Sequence, residues 1–178
     1  DKKNVAKRKI VEDKNLRLMF SGSLIKRKGL DIVLEAMVEI NKTETKVTLD
    51  IYGPGEIKEY CKEDVRGVQY KGTYKPGSAQ QVMSQYDMLI VPSRHDGWGL
   101  VVNEALLQYV PVIVSDRVGA KVLVEYSGAG KVFKNENVSN LKEVLLEIID
   151  YPEELNQMKD NCEKVHDFIT PDYGSSYL

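Results

Sequence analysis

Met88-Leu89-Ile90-Val91-Pro92-Ser93-Arg94-His95-Asp96-Gly97-Trp98-Gly99-Leu100-Val101-Val102-Asn103-Glu104-Ala105-Leu106-Leu107-Gln108-Tyr109-Val110-Pro111-Val112-Ile113-Val114-Ser115 is the stretch whose reading decides the fold. A short apolar, β-rich run ends at Pro92, and a polar, glycine-bearing loop follows. A helix-compatible run comes next, and Pro111 opens a second buried strand. That order is a βαβ crossover unit. Its loop leaves the carboxyl end of a strand and brings glycines and an acid to a helix N-terminus, where open α/β sheets bind ligands.

Upstream, the same alternation repeats. Leu16 to Phe20 alternates and then meets Ser21-Gly22-Ser23, which predicts a strand ending in a tight loop. After Lys26-Arg27-Lys28-Gly29, apolar residues at 30, 33, 34, 37 and 40 share one helical face. Val47 to Tyr52 is the next strand, stopped by Gly53-Pro54-Gly55, with a short helix expected over Ile57 to Glu63. Val68 to Lys71 is a third strand, and Ser78 to Tyr86 a helix. Downstream of Ser115, a loop around Val118-Gly119-Ala120 precedes a short helix. Lys131-Val132-Phe133 forms a small last strand, Leu141 to Ile149 is helical, and Pro152 starts a final helix to about Phe168. Strands separated by helical patterns, joined by right-handed crossovers, predict a six-stranded parallel sheet covered on both faces, a Rossmann-like α/β domain over residues 16–170. Residues 1–15 read as a linker or exposed helix and 171–178 as a tail.

Composition bounds the function. With 178 residues, 42% hydrophobic and 29% charged, the chain has enough material for a core. A net charge of −2 gives no electrostatic case for nucleic acid. No apolar run approaches the roughly eighteen residues of a membrane span, and Asp1 to Lys9 lacks a signal-peptide pattern, so any membrane contact is expected to be peripheral. Cys61 and Cys162 have no metal-like spacing, which favours a reduced, cytoplasmic setting. With His95 and His166 the only histidines, no zinc site is expected.

Three constellations could carry chemistry. Ser21 to Gly29 places a small-residue turn and three consecutive cations before a helix, which suits a diphosphate or is a solvated basic loop. Neither a P-loop nor a G-x-G-x-x-G dinucleotide fingerprint is present. Asp96 and Glu104, eight residues apart, flank Gly97-Trp98-Gly99 at a helix start. Carboxylates accept hydrogen bonds from sugar hydroxyls, and the helix amides between them suit phosphates. The same residues also fit an N-terminal helix stabiliser and the polar stripe of an amphipathic helix. Gly72 to Gly77 is a third loop at a strand's carboxyl end, where Tyr74 could cradle a base or simply belong to a turn. Trp98 fits a loop anchor or a stacking platform, and His95 a site residue or a solvated one.

Taken together, Ser21 to Gly29, Asp50-Ile51-Tyr52-Gly53-Pro54-Gly55, Gly72-Thr73-Tyr74, Pro92-Ser93 through Ala105, and Pro111-Val112-Ile113 resemble the retaining GT-B glycosyltransferases of the glycosyl transferases group 1 type, family four. The resemblance covers Leu16 to about Ile149. It implies the C-terminal, donor-binding half of a two-domain GT-B enzyme, so an N-terminal acceptor-binding domain is expected as its partner, absent from this chain. The implied reaction is transfer of a hexose from a nucleoside-diphosphate sugar, UDP- or GDP-linked, to a glycan or lipid-linked acceptor, with retention and no required metal.

By the same resemblance, the E-x7-E motif falls on Asp96 and Glu104. Asp96 would meet donor-sugar hydroxyls near the reacting carbon, and Glu104 the nucleotide ribose. The backbone of Gly97, Trp98, Gly99, Leu100 and Val101 would approach sugar and diphosphate. Lys28 would neutralise the leaving diphosphate with help from Lys26 or Arg27, Gly22 and Ser23 would bind the donor from the same loop, and Tyr74 would sit beside the base. Asp96 and Lys28 are the implied catalytic pair. Two departures stand out: Ser23 replaces a frequent arginine, and aspartate replaces the usual glutamate at position 96. A sugar-nucleotide epimerase of GT-B type and a non-catalytic nucleotide-binding module remain as alternatives.

Overall fold

The computed structural model describes residues 15–44, 46–60 and 64–169. The expected linker over residues 1–15, except its last residue, and the expected tail over 171–178 lie outside that range.

In chain order the elements are β1 (Leu16–Ser21), a 3-10 turn (Lys26–Lys28), α1 (Leu30–Ile40), β2 (Val47–Tyr52), a 3-10 turn (Ile57–Glu59), β3 (Val68–Gly72), α2 (Ala79–Met83), β4 (Met88–Val91), α3 (Leu100–Leu107), β5 (Val112–Ser115), α4 (Lys121–Ser127), β6 (Gly130–Phe133), α5 (Val138–Asp150), α6 (Pro152–Asn161) and α7 (Glu163–Ile169). All five strand pairings are parallel, in the order β3-β2-β1-β4-β5-β6. The chain therefore starts mid-sheet, builds one edge, then returns to build the other. The order reverses between β1 and β4, so the loops after these two strands diverge and leave a crevice at their carboxyl ends. The loop after β1 carries Lys28, and the loop after β4 carries Asp96.

Strand residues alternate between two apolar layers, as a period of two requires. Leu18, Phe20, Leu49, Ile51, Met88, Ile90 and Ile113 pack with α1, α5 and α6 on one face. Met19, Leu89, Val91, Val112 and Val114 pack with α2, α3, α4 and α7 on the other. Each fully buried side chain of this kind contributes roughly 1.5–3 kcal/mol relative to exposure, so the two clusters hold the crevice rigid from both sides. No described helix is long and apolar enough to cross a membrane.

Three expectations are corrected. The final helix is broken in two, with Cys162 between α6 and α7. The reason is topological: Leu155 and Met158 of α6 belong to the first layer, whereas Val165 of α7 belongs to the second, and one straight helix cannot serve both faces. Helix α5 starts at Val138 rather than Leu141, because Asn137 accepts a hydrogen bond from the Asn140 amide at 2.8 Å and caps it. Between β2 and β3 a 3-10 turn over Ile57–Glu59 stands in place of the helix expected to reach Glu63, and residues 61–63 are outside the described range.

Asn41, just after α1, ties the start of β2 to the segment that leads into β3. Buried to 2% exposure, it donates to the Val47 and Arg66 carbonyls at 2.7 and 2.9 Å and accepts from the Lys46 and Val47 amides at 2.9 and 3.1 Å. Alanine there would strand these buried backbone groups. Asn41→Ala is expected to cost about 3 kcal/mol, seen as a lower urea midpoint with an unchanged slope.

Candidate functional site

The crevice is closed at one end by a direct pairing of the two diverging loops. Lys28 ends the 3-10 turn, and its Nζ meets Asp96 Oδ2 at 2.6 Å, with the side chains 25% and 17% exposed. Partial burial weakens the solvent screening of this pair.

Backbone contacts bring the loops this close. Gly29 sits in the left-handed region at φ 72°, and a Cβ on it would lie 2.1 Å from the Pro92 carbonyl oxygen. Only glycine tolerates both conditions. Arg94 then locks the approach. Its amide donates to the Arg27 carbonyl at 2.8 Å, and its guanidinium donates to the Lys26 carbonyl at 2.7 Å, to both Asp31 oxygens at 2.8 Å, and to Glu136 at 2.7 Å. Hydrogen bonding from Arg94 holds the Asp31 carboxyl below its ordinary range, against the opposing effect of burial. Asp31 in turn raises the guanidinium's pKa. Arg27 points back across the same seam, donating to the His95 carbonyl at 2.8 Å.

Beyond Asp96, the loop zips onto the segment after β5. Asp96 forms a parallel bridge with Val118 and donates its amide to the Arg117 carbonyl, while the Gly119 and Ala120 amides donate to the Asp96 and Trp98 carbonyls. A Cβ on Gly119 would lie 2.1 Å from the Gly97 oxygen, so the zip needs glycine. Gly97 has the opposite setting, since nothing lies within 4 Å of its Cβ position. The loop thus leaves a bare backbone exposed at Gly97, next to the paired Asp96. Gly99, at φ 87°, is the N-cap of α3 and makes no side-chain cap, and the Leu100 and Val101 amides have no acceptor among the described residues. Asp96 does not cap this helix; it pairs with Lys28 instead.

On the other side of Lys28, an open cleft of about 290 Å³ is lined by Ser21, Gly22, Ser23, Tyr52, Gly53, Pro54, Thr73 and Tyr74. The Ser21 and Tyr74 hydroxyls are 2.9 Å apart, and the Tyr74 ring lies 5.7 Å from that of Tyr52. Behind them the Tyr86 hydroxyl donates to Asp50 at 2.7 Å and meets the Tyr52 hydroxyl at 3.0 Å. Burial, together with these hydrogen bonds, pushes the Tyr86 phenol well above its ordinary range and keeps it neutral. The aromatic wall is therefore a fixed surface.

Of the residues singled out in the sequence, Lys28 and Asp96 are in contact, and Gly22, Ser23 and Tyr74 line one cleft beside them. Arg27 is exposed, with its guanidinium spent on the loop seam. Trp98 is 41% exposed and donates to Asn103 at 3.0 Å, which anchors the ring to the first turn of α3. Leu100 is 70% exposed and Val101 half-buried. Glu104 lies one turn into α3 on its exposed side and makes no hydrogen bond or ion pair among the described residues. The His95 side chain is exposed, and only its carbonyl takes part in the seam. Sequence reading missed Arg94 as the hub and Tyr52 and Thr73 as cleft walls. The one signal for Arg94 was its place two residues before Asp96 in the same polar loop.

Comparison with known proteins places the chain. Residues 1–165 match the model of the family described as glycosyl transferases group 1. The GtfA subunit of a UDP-N-acetylglucosamine–peptide N-acetylglucosaminyltransferase from Streptococcus agalactiae is 26% identical over 157 residues, covering 86% of this chain and 31% of that protein. Among solved structures, sucrose-phosphate synthase from Thermosynechococcus elongatus has a TM-score of 0.77 at 20% identity, covering 89% of this chain and 42% of that one. Anabaena HepE in complex with UDP and glucose has a TM-score of 0.73 at 21% identity, covering 85% and 43%. The chain thus spans less than half the length of each of these relatives.

Proposed function

The chain belongs to the glycosyl transferases group 1 family, and on that premise we propose that it holds the sugar donor, a nucleoside-diphosphate hexose linked to UDP or GDP, for a retaining glycosyltransferase. One observation carries this reading: Lys28 and Asp96 meet at 2.6 Å at the reversal point of the sheet, between an open cleft and the bare amides of α3. A ligand lying there has a cation and helix amides for a diphosphate, and a carboxylate for sugar hydroxyls. The GtfA relative's name, with its UDP-linked donor, and the UDP and glucose of the HepE complex support a nucleotide sugar as the ligand class.

In this reading the base lies along the Thr73–Tyr74 side of the cleft, and Glu104 receives the ribose hydroxyls. The diphosphate passes Gly22, Ser23, Lys28 and the amides of Leu100 and Val101. As the bond from the sugar's anomeric carbon to the diphosphate oxygen breaks, negative charge grows on the leaving group. Prearranged cations and amides stabilise that charge more than they stabilise the ground state. Asp96 has its own cation beside it and acts by orienting the sugar, with the bare backbone at Gly97 leaving room for the ring. The proposal calls for no metal ion, because Lys28 and the helix amides take the neutralising role. The acceptor, a glycan or lipid-linked sugar, falls to a second domain in the whole protein.

Calorimetric titration of the chain with UDP and with GDP tests the reading. Saturable binding to at least one is expected, and Glu104→Ala is expected to weaken it by about tenfold, the loss of one or two hydrogen bonds to a charged acceptor. Silence from both nucleotides at millimolar concentration would sink the proposal. In the whole protein, donor consumed with no acceptor and returned as a different sugar nucleotide would favour an epimerase instead.

A further inference from the structure

Arg94 has a constellation that no ligand contact explains. Its side chain is 21% exposed and donates four hydrogen bonds to three partners. Its partners come from three separate places: the Lys26 carbonyl in the 3-10 turn, Asp31 in the first turn of α1, and Glu136 in the connection from β6 to α5. Glu136 is held at φ 56°, a conformation that costs a non-glycine residue energy and persists only when its surroundings enforce it.

The geometry of the clamp leads to the site in short steps. Arg94 binds the carbonyls of both Lys26 and Arg27, through guanidinium and amide respectively, and Lys28 is the next residue of that turn. Asp96 follows Arg94 by two residues in its own loop. The seam is stitched once more by Arg27 on the His95 carbonyl. No side chain separates the loops at Gly29 and Pro92, where backbone meets backbone, and the Arg94 guanidinium is the group that ties both loops to α1 and to the connection before α5. Resting on the donor-binding reading above, we infer that Arg94 is a positioning residue: it sets the relative placement of Lys28 and Asp96, and so the geometry of the diphosphate-binding end of the site, without touching the ligand.

The planar fork is what makes this possible. A guanidinium can engage both Asp31 oxygens edge-on while its remaining N–H groups reach Glu136 and a carbonyl, whereas a lysine offers one point charge. Arg94→Lys is therefore expected to rescue little of what Arg94→Gln loses.

The test is a double-mutant cycle on the full 178-residue chain, read by calorimetry with UDP and GDP as probes. Arg94→Gln is expected to weaken nucleotide binding by at least about tenfold, the scale of effect that follows from misplacing a binding group by an ångström. In a Lys28→Ala background the same substitution should change affinity by less than about twofold, because the group it positions is gone. A loss of equal size in both backgrounds, or none in either, overturns the proposal. Asp31→Asn loosens the clamp from its exposed end and serves if Arg94→Gln does not fold; it should weaken binding in the same Lys28-dependent way, and a Lys28-independent effect counts against the proposal. Crystal structures of Arg94→Gln, or of Asp31→Asn in its place, give an answer that needs no nucleotide. The Lys28 and Asp96 side chains are expected beyond about 4 Å, the limit of an ion pair, and an unchanged pair overturns the proposal. If neither nucleotide binds even the unaltered chain, the donor reading falls, and the crystal structure alone decides the role of Arg94.

Discussion

Lys28→Ala in the whole protein is expected to lower kcat/KM for sugar transfer by about 10²–10³, the usual consequence of removing one prearranged stabiliser of developing negative charge. Two effects add in the same direction. The leaving diphosphate loses its nearest cation, and Asp96, 17% exposed, loses the counter-charge 2.6 Å away. An uncompensated carboxylate beside the diphosphate repels it, so donor binding weakens as well as turnover. The comparison that isolates the site effect is Lys26→Ala. That side chain is exposed on the same turn and makes no hydrogen bond or ion pair among the described residues, so its charge is screened over a Debye length of about 8 Å. Little change is expected from it. Steady-state kinetics of both variants, with the UDP or GDP dissociation constant of each, decide the matter: near-normal turnover in Lys28→Ala removes Lys28 from the mechanism. The fold should be unaffected, since Lys28 belongs to neither apolar layer.

How much of this was legible in the sequence depends on whether a signal is local. Lys28 and Asp96 stood out because each lies in a polar, glycine-bearing loop directly after an apolar run, and an α/β alternation sends such loops to one edge of the sheet. That they touch was not local information. Strand alternation implied parallel pairing, but the order β3-β2-β1-β4-β5-β6, which sets β1 beside β4, comes from long-range packing. Arg94 was overlooked for the same reason: its side-chain partners at positions 26, 31 and 136 are 68, 63 and 42 residues away. The break at Cys162 was hidden because the periodicity of α6 runs smoothly into α7, and only the switch between apolar layers demands a bend. Buried between them, the Cys162 thiol is pushed up to about 12, an ordinary consequence of desolvation that suits a packing role. The early start of α5 did have a local signal in Asn137, a good N-cap residue, which the search for apolar spacing passed over.

Glycine substitutions separate the scaffold from the site more sharply than any charge change. Gly29→Ala is expected to destabilise the chain by roughly 4 kcal/mol or more, among the largest effects a single methyl group can have. The left-handed backbone at φ 72° costs an alanine about 1 kcal/mol by itself. The rest comes from contact, because the new Cβ would fall 2.1 Å from the Pro92 oxygen and 2.9 Å from its carbon. Relief requires pushing apart the loops after β1 and β4, and the seam of Arg94 and Arg27 hydrogen bonds resists that motion. Gly29 also ends the 3-10 turn through its amide on the Lys26 carbonyl and begins α1 through its own carbonyl on the Ile32 amide, so a shift disturbs both elements. Gly97→Ala is the matched control. Its Cβ would enter open space, and stability should change by no more than about 0.5 kcal/mol. That open space is where the donor sugar is proposed to lie, so Gly97→Ala should instead reduce affinity for the intact sugar nucleotide while leaving affinity for the bare nucleotide nearly intact. Urea unfolding of the two variants, followed by titration of Gly97→Ala with UDP and UDP-glucose, checks both halves. An unfolding midpoint for Gly29→Ala equal to that of the unaltered chain would mean that the two loops do not approach as closely as the 2.6 Å ion pair beside them requires.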